Sequence, residues 1–223
     1  MAGFPKLIPA FTTHIVLDPA ISVGSVSKSG PLTVAPFTSE NSFLRSEPGY
    51  PVKVDAVFVH GSDFIRGDPS GKHVRLDVNS VLKDASGAYI SYKYSGIIDM
   101  KPGPTAVLTG SSDAKTTEFG DVLTHVLFET GSDELKLMEE KVYVASGRFI
   151  IEAGKPPVVE YVYSLICLEN FGIFQELFSH VPPSYGTLKG ALSKSSLARS
   201  KSFFLMSLHS LWSMIESYSS KQY

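Results

Sequence analysis

Over its first three quarters the chain alternates apolar and polar residues in short runs rich in Val, Ile, Tyr and Phe, broken by Gly, Pro, Asp and Ser. That is the pattern of strands with one buried face. His14–Leu17 and Leu32–Ala35 are the early candidates. Val52 to His60 places Val52, Val54, Ala56, Phe58 and His60 on one face and Lys53 and Asp55 on the other. Val74 to Leu82 does the same, with Leu76, Val78, Ser80 and Leu82 opposed to Arg75, Asp77 and Asn79. Asp84-Ala-Ser-Gly-Ala then supplies the side-chain acceptor and the positive φ of a hairpin turn, and a partner strand runs from Ala88 to Ile98. Met100 to Gly120 carries prolines and glycines at a density that predicts a loop or lid over one end of the body. Strands resume at Asp121–Glu129, Lys141–Ile151 and Val158–Ile166, with a short helical turn near Glu134 to Glu139. About eight strands at this spacing predict an all-β fold, a closed or nearly closed antiparallel barrel spanning residues 12 to 166, preceded by an N-terminal arm over residues 1 to 11.

Beyond Ile166 the alternation stops. Pro182-Pro183 interrupts the chain, and serine becomes abundant from Ser193 to Ser220. Within that stretch Phe203, Leu208, Leu211, Trp212 and Ile215 belong to a broad apolar stripe at helical spacing. Residues 167 to 223 are therefore a tail outside the barrel core, holding one amphipathic helix that docks on the barrel or a partner. The alternative is translation into an unspliced intron.

Charge and cysteine usage narrow the partners. With 20 basic against 22 acidic residues and a net charge of -2, the chain has no positive field to draw in phosphate backbones or anionic lipid, so neither nucleic acid nor membrane is expected as a partner. A single cysteine, Cys167, precludes an internal disulfide, and no Cys/His spacing fits a zinc site. The apolar N-terminal stretch is cut short by Pro5, Lys6 and Pro9 before a signal-peptide core can form, and no run approaches the length of a spanning helix. A soluble, cytoplasmic protein is the expectation.

Phosphate-binding glycine loops, His-Glu-x-x-His and Gly-x-Ser-x-Gly are all missing from the sequence, so no cofactor is expected. Chemistry then rests on polar residues inside the barrel, where about eight strands leave room for side chains or one small ligand. Arg75, Asp77 and Asn79 form one set, Tyr92 and Tyr94 on the partner strand a second, and His125 with Glu129 a third. Asp77 or His125 as base, with Arg75 or a tyrosine stabilising negative charge, is the arrangement that isomerisation, dehydration or cyclisation of a small organic ligand requires. Each set also has a plainer account. Arg75, Asp77 and Asn79 alternate as an outward, solvated strand face does, Tyr92 and Tyr94 suit strand packing, and His125 and His60 suit surface or core positions.

Two segments exceed generic β pattern. His60-Gly-Ser-Asp-Phe-Ile-Arg-Gly-Asp-Pro-Ser-Gly-Lys-His-Val-Arg-Leu-Asp-Val, continuing through Leu82-Lys-Asp-Ala-Ser-Gly-Ala-Tyr-Ile to Tyr92-Lys-Tyr-Ser-Gly, resembles the central signature of the bacterial and fungal family called domain of unknown function 3237. Phe128-Glu-Thr-Gly with Val142-Tyr-Val-Ala-Ser-Gly-Arg, and Val159-Glu-Tyr-Val-Tyr, resemble its later segments. The resemblance implies a single barrel, loosely lipocalin-like, with an accessory role on a secondary metabolite. The family pattern has Gly-Gly-x-Asp-Trp where this chain has Gly61-Ser62-Asp63-Phe64, and an aromatic run where it has Leu135-Lys-Leu-Met-Glu139. The residues to test are Arg75, Asp77, Tyr92, Tyr94, His125 and Arg148, with a small, largely apolar organic ligand as partner. The rival reading is a non-catalytic interaction protein with a filled barrel, forming a homo-oligomer or binding a partner through its tail.

Overall fold

The structure, a computed structural model, describes residues 3–27, 30–37 and 40–168; the Phe203 to Ile215 stripe lies outside these. Among the described residues ten strands form one antiparallel sheet: β1 (Lys6–Val16), β2 (Ile21–Ser25), β3 (Pro31–Pro36), β4 (Phe43–Ser46), β5 (Asp55–Gly67), β6 (His73–Asp84), β7 (Tyr89–Asp99), β8 (Val122–Thr130), β9 (Tyr143–Ile150) and β10 (Val158–Cys167). Strands β5 to β10 pair as a meander. β1 then pairs β10 on one side and β4 on the other, and β4 pairs β5, closing an eight-stranded barrel. Closure removes the free sheet edge that an open meander would leave.

β5 is long enough to serve two neighbours in succession. Its first residues pair with β4, and from Ser62 to Arg66 it pairs with β3, so the β2–β3 hairpin stands up at one end as a flap. Short helix α1 (Pro102–Leu108), begun by two prolines that need no N–H partner in the first turn, lies in the expected lid segment. At the opposite end the 3-10 turn Lys136–Met138 inserts Leu135 and Met138, both buried. The barrel thus has a plugged bottom and an end roofed by α1 and the flap.

Two boundaries differ from the sequence expectation. β1 begins at Lys6, and Ala10 and Phe11 are fully buried, so the segment read as an arm is part of the barrel wall. Its strand signal is masked by Pro5 and Pro9, the second of which adjoins a register shift between Pro9 and Phe11. β5 runs seven residues past His60, with a bulge between Phe58 and His60. An extra residue at a bulge reverses which side chains face inward. His60 is therefore exposed, and Gly61 and Asp63 take the inward positions.

The lower barrel is filled by rings. Phe11, Tyr50, Phe128 and Tyr143 pack edge-on or tilted at 5.0 to 5.6 Å between centroids, with the Tyr50 and Tyr143 hydroxyls 2.8 Å apart. Above them Phe58, Tyr92 and Tyr163 continue the stack, and the Tyr92 and Tyr163 hydroxyls share a hydrogen bond of 2.5 Å. Rings of this kind give large buried area, and each buried hydroxyl finds a partner on the facing strand.

Candidate functional site

The inward register of three strands builds the upper end of the barrel. Asp63 on β5 pairs with Val78 on β6, which pairs with Tyr94 on β7, so Asp63 and Tyr94 flank one inward valine in a single row. Tyr161 on β10 reaches the same level because Gly147 on β9 leaves its ring room. A Cβ at Gly147 would lie 2.6 Å from the Tyr161 ring. Tyr94 donates to the Tyr161 hydroxyl at 3.3 Å, and their ring centroids are 5.3 Å apart.

Asp63, only 5% exposed, accepts a hydrogen bond from the Asp77 backbone N–H at 3.1 Å. Burial outweighs that bond and pushes its carboxyl up from 3.8 to about 7, with the Asp77 charge adding to the rise. Burial likewise drives the Tyr94 and Tyr161 hydroxyls well above the phenol range, so both hold their protons at neutral pH and act as donors. These three groups, with Phe37, Leu76 and Ile98, line a hollow of about 20 Å³, room for about one water-sized group.

Above that hollow opens a cavity of about 920 Å³ between the flap and α1. Leu17, Ala35, Ile65, Leu108 and Phe149 line both spaces, which makes them the apolar neck between the wide mouth and the small hollow. The rim carries Asp18, Asp68 and His73. Asp68 is bound by Arg75 at 3.1 Å, and His73 lies 3.3 Å from Asp99. An apolar vestibule with a few converging polar groups at its floor is the usual build of a small-molecule site. Among the described residues no group of three or more His, Cys, Asp or Glu is placed to hold a metal ion.

The residues singled out from the sequence are scattered by the same alternation. Tyr94 lies at the floor of the hollow. Tyr92 lies one inward position lower, fully buried, its hydroxyl committed to Tyr163. Arg75, Asp77 and Asn79 are on the outer face of β6, because Leu76, Val78 and Ser80 take the inward positions. Asp77 meets the site through its backbone N–H, and its outward carboxylate acts on Asp63 only through its charge. His125 and Glu129 are on the outer face of β8, with Glu129 bound to Lys93 at 3.0 Å. Arg148 is on the outer face of β9, paired with Glu160, which also binds His14 at 2.9 Å, and stacked over the Phe119 ring at 4.7 Å. Arg75 and His125 border a groove on the outside of the barrel, walled by Leu7, Ile97, Leu123, Val144 and Val162. The expected convergence of Arg75, Asp77, His125 and Arg148 inside the barrel does not occur.

Asp63 is the residue that sequence reasoning missed. Regular alternation from Ala56 and Phe58 would put it outward, and only the bulge brings it in. The usable signal was chemical: an Asp framed by Gly61 and Phe64 in the segment that carries the family resemblance.

A model of the family described as "Protein of unknown function (DUF3237)" matches residues 5–166. The chain belongs to this family. Three solved structures share the fold. A conserved protein of unknown function from Rhodopseudomonas palustris is 16% identical with a TM-score of 0.57, the match covering 74% of this chain and 99% of that one. A β-barrel-like protein from Acinetobacter baumannii is 19% identical at 0.55, covering 73% and 96%. A protein with unknown function from Clostridium acetobutylicum is 20% identical at 0.56, covering 73% and 99%. No curated protein matches the chain.

Proposed function

We propose that this member of the DUF3237 family binds a small, largely apolar organic molecule in its mouth cavity and exchanges a proton with it through Asp63, without a cofactor. The observation that carries this reading is Asp63, a buried carboxyl beneath an apolar neck, which burial pushes up to about 7. A group poised near neutral pH is present in both protonation states and can give and take a proton in one cycle. In its acid form Asp63 protonates a ligand oxygen. The neighbouring carbon then loses water, gains an internal hydroxyl or loses a C–H proton, and the Asp63 carboxylate recovers the released proton. No oxidant or co-reactant is consumed. Dehydration, cyclisation and isomerisation all fit this balance. Tyr94 and Tyr161 supply hydrogen bonds that a charged intermediate needs. Arg75, Asp77, His125 and Arg148 take no side-chain part.

The test is heteronuclear NMR titration of the full chain with neutral bicyclic ketones and phenols. Amide shifts are expected at Ala35, Ile65 and Leu108, and loss of those shifts in Ala35→Trp, which fills the neck, or in Leu108→Trp on α1. Shifts confined to the outer face of β7 to β10, or unchanged in either folded variant, would remove the proposal. The rival reading, an interaction protein with a solid interior, is favoured by the filled lower barrel but not by the open mouth.

A further inference from the structure

The mouth is wide and the floor is not, and this difference constrains the ligand more than the total volume does. A body of ten to twenty heavy atoms fits a cavity on the order of 900 Å³. The hollow at Asp63, about 20 Å³, admits a single atom. Whatever occupies the site therefore keeps its body among Leu17, Ala35, Ile65 and Phe149 and sends one small group down the neck.

The charge of the lining narrows that group further. Among the described residues neither cavity is lined by a lysine or an arginine, whereas Asp18 and Asp68 stand at the rim and Asp63 at the floor. Arg75 at the rim is engaged by Asp68, so an anionic group sent to the floor would meet the Asp63 carboxyl with no lysine or arginine of the lining beside it, in a hollow with little water. The floor offers O–H donors to an entering group. The Tyr94 proton goes to Tyr161, leaving the Tyr161 proton to be given to a third group, and Asp63 in its acid form offers another. Two converging O–H donors match an oxygen that only accepts.

We propose that the site recognises an uncharged molecule through a single carbonyl-type oxygen, which enters the hollow between Asp63, Tyr94 and Tyr161 while an apolar ring system fills the mouth. This rests on the mouth cavity being the binding site. It excludes the fatty acids and other carboxylates that a barrel of this shape would otherwise admit, and, while Asp63 keeps its proton, it disfavours amines, because O–H donors at the floor would face an ammonium that only donates.

The groups that face Asp63 are the Asp77 N–H from β6, Tyr94 from β7 and Tyr161 from β10, with the Asp77 carboxylate on the far face of β6. Both tyrosines keep their protons across the accessible range, so Asp63 is the group that titrates near neutrality. Carbonyl binding requires its proton.

The experiment uses one skeleton, tetralin, carrying a ketone, a hydroxyl, a carboxylate or an ammonium group, titrated by NMR into the full chain at about pH 6 and about pH 8.5. At about pH 6 the ketone is expected to bind tightest, with the carboxylate and the ammonium at least about tenfold weaker. Ketone affinity is expected to fall by about tenfold or more between the two pH values in the wild type. In Asp63→Asn, whose amide still donates, it should hold steady. A carboxylate or ammonium binding as well as the ketone in the mouth would overturn the inference and leave the binding site standing. So would a ketone affinity indifferent to both pH and D63N. Failure of all four to shift Ala35, Ile65 or Leu108 would overturn the site itself, and the inference with it.

Discussion

Asp63 can be tested without any ligand, through the pH dependence of folding. Asp63→Asn preserves the shape of the side chain and an oxygen for the Asp77 N–H, and deletes only the titration. In the wild type the folded chain releases this proton at about 7, against 3.8 for an ordinary aspartate. Below the ordinary value both states hold the proton and no charge is buried. Between the two values the unfolded chain has released its proton while the folded chain keeps it, so the unfolded state binds fewer protons and stability falls as pH rises. Above the folded value the loss levels off, at about 4 kcal/mol for a separation of a little over three pH units at about 1.4 kcal/mol each. D63N should escape this loss. Urea unfolding followed by circular dichroism from about pH 5 to about pH 9 should show the variant gaining on the wild type by about 3 kcal/mol across that range, most of it before pH 7. A stability difference that is flat with pH, or that shrinks as pH rises, would mean that the carboxyl is solvated or paired, and the proton-transfer reading would lose its foundation.

Other positions yield further expectations. Gly147→Ala drives a methyl into the Tyr161 ring, so it should cost about 1 to 3 kcal/mol in urea unfolding and displace Tyr161 from the hollow, weakening ketone binding. Tyr92→Phe leaves the Tyr163 hydroxyl without its partner and should cost about 1 to 3 kcal/mol; the Y92F/Y163F double variant should cost less than the two single losses summed, as a double-mutant cycle would show. Glu160 is held below the usual carboxylate range by its hydrogen bonds to His14 and Arg148 despite some burial, so its contribution is present at neutral pH and lost as pH falls. Glu160→Gln should therefore cost on the order of 1 kcal/mol at neutral pH and nothing at strongly acid pH in the same unfolding assay. Substituting Ala at Arg75 or His125, on the outer face, should leave ketone binding in the mouth unchanged by NMR titration.

The fold was legible because strands buried on one face leave a period-two trace. On β6 the predicted and observed inward residues coincide, Leu76, Val78, Ser80 and Leu82, and the strands expected after it are present as β7 to β10. Alternation offered the outer face as the plainer account of Arg75 and Asp77, and the structure places both there, with His125 also outward, against the expectation from their chemistry that they line the interior. Asp63 was illegible for a different reason. A bulge is one unpaired residue, fixed by packing between neighbouring strands and not by composition, and it carries no local signature beyond Gly61, whose Cβ would otherwise meet the Ser80 and Phe37 side chains. The start of β1 was hidden similarly, since prolines that forbid a central ladder position are admitted where the register slips.

The division between a filled bottom and an open mouth has a physical consequence for the site. Rings in the lower barrel interlock across facing strands, and the Tyr50–Tyr143 pair ties β9 to the segment between β4 and β5 while the Tyr92–Tyr163 pair ties β7 to β10. That part holds the strands in register without help from the upper end. The upper inward positions carry Asp63, a buried carboxyl that a core built for stability alone would not choose, and Gly147, which makes room for the Tyr161 ring. Stability and site are thus set by different layers of the same strands. Leu108→Trp, at a half-buried neck position on α1, should for this reason abolish binding at little cost in folding, whereas variants in the lower rings should do the reverse.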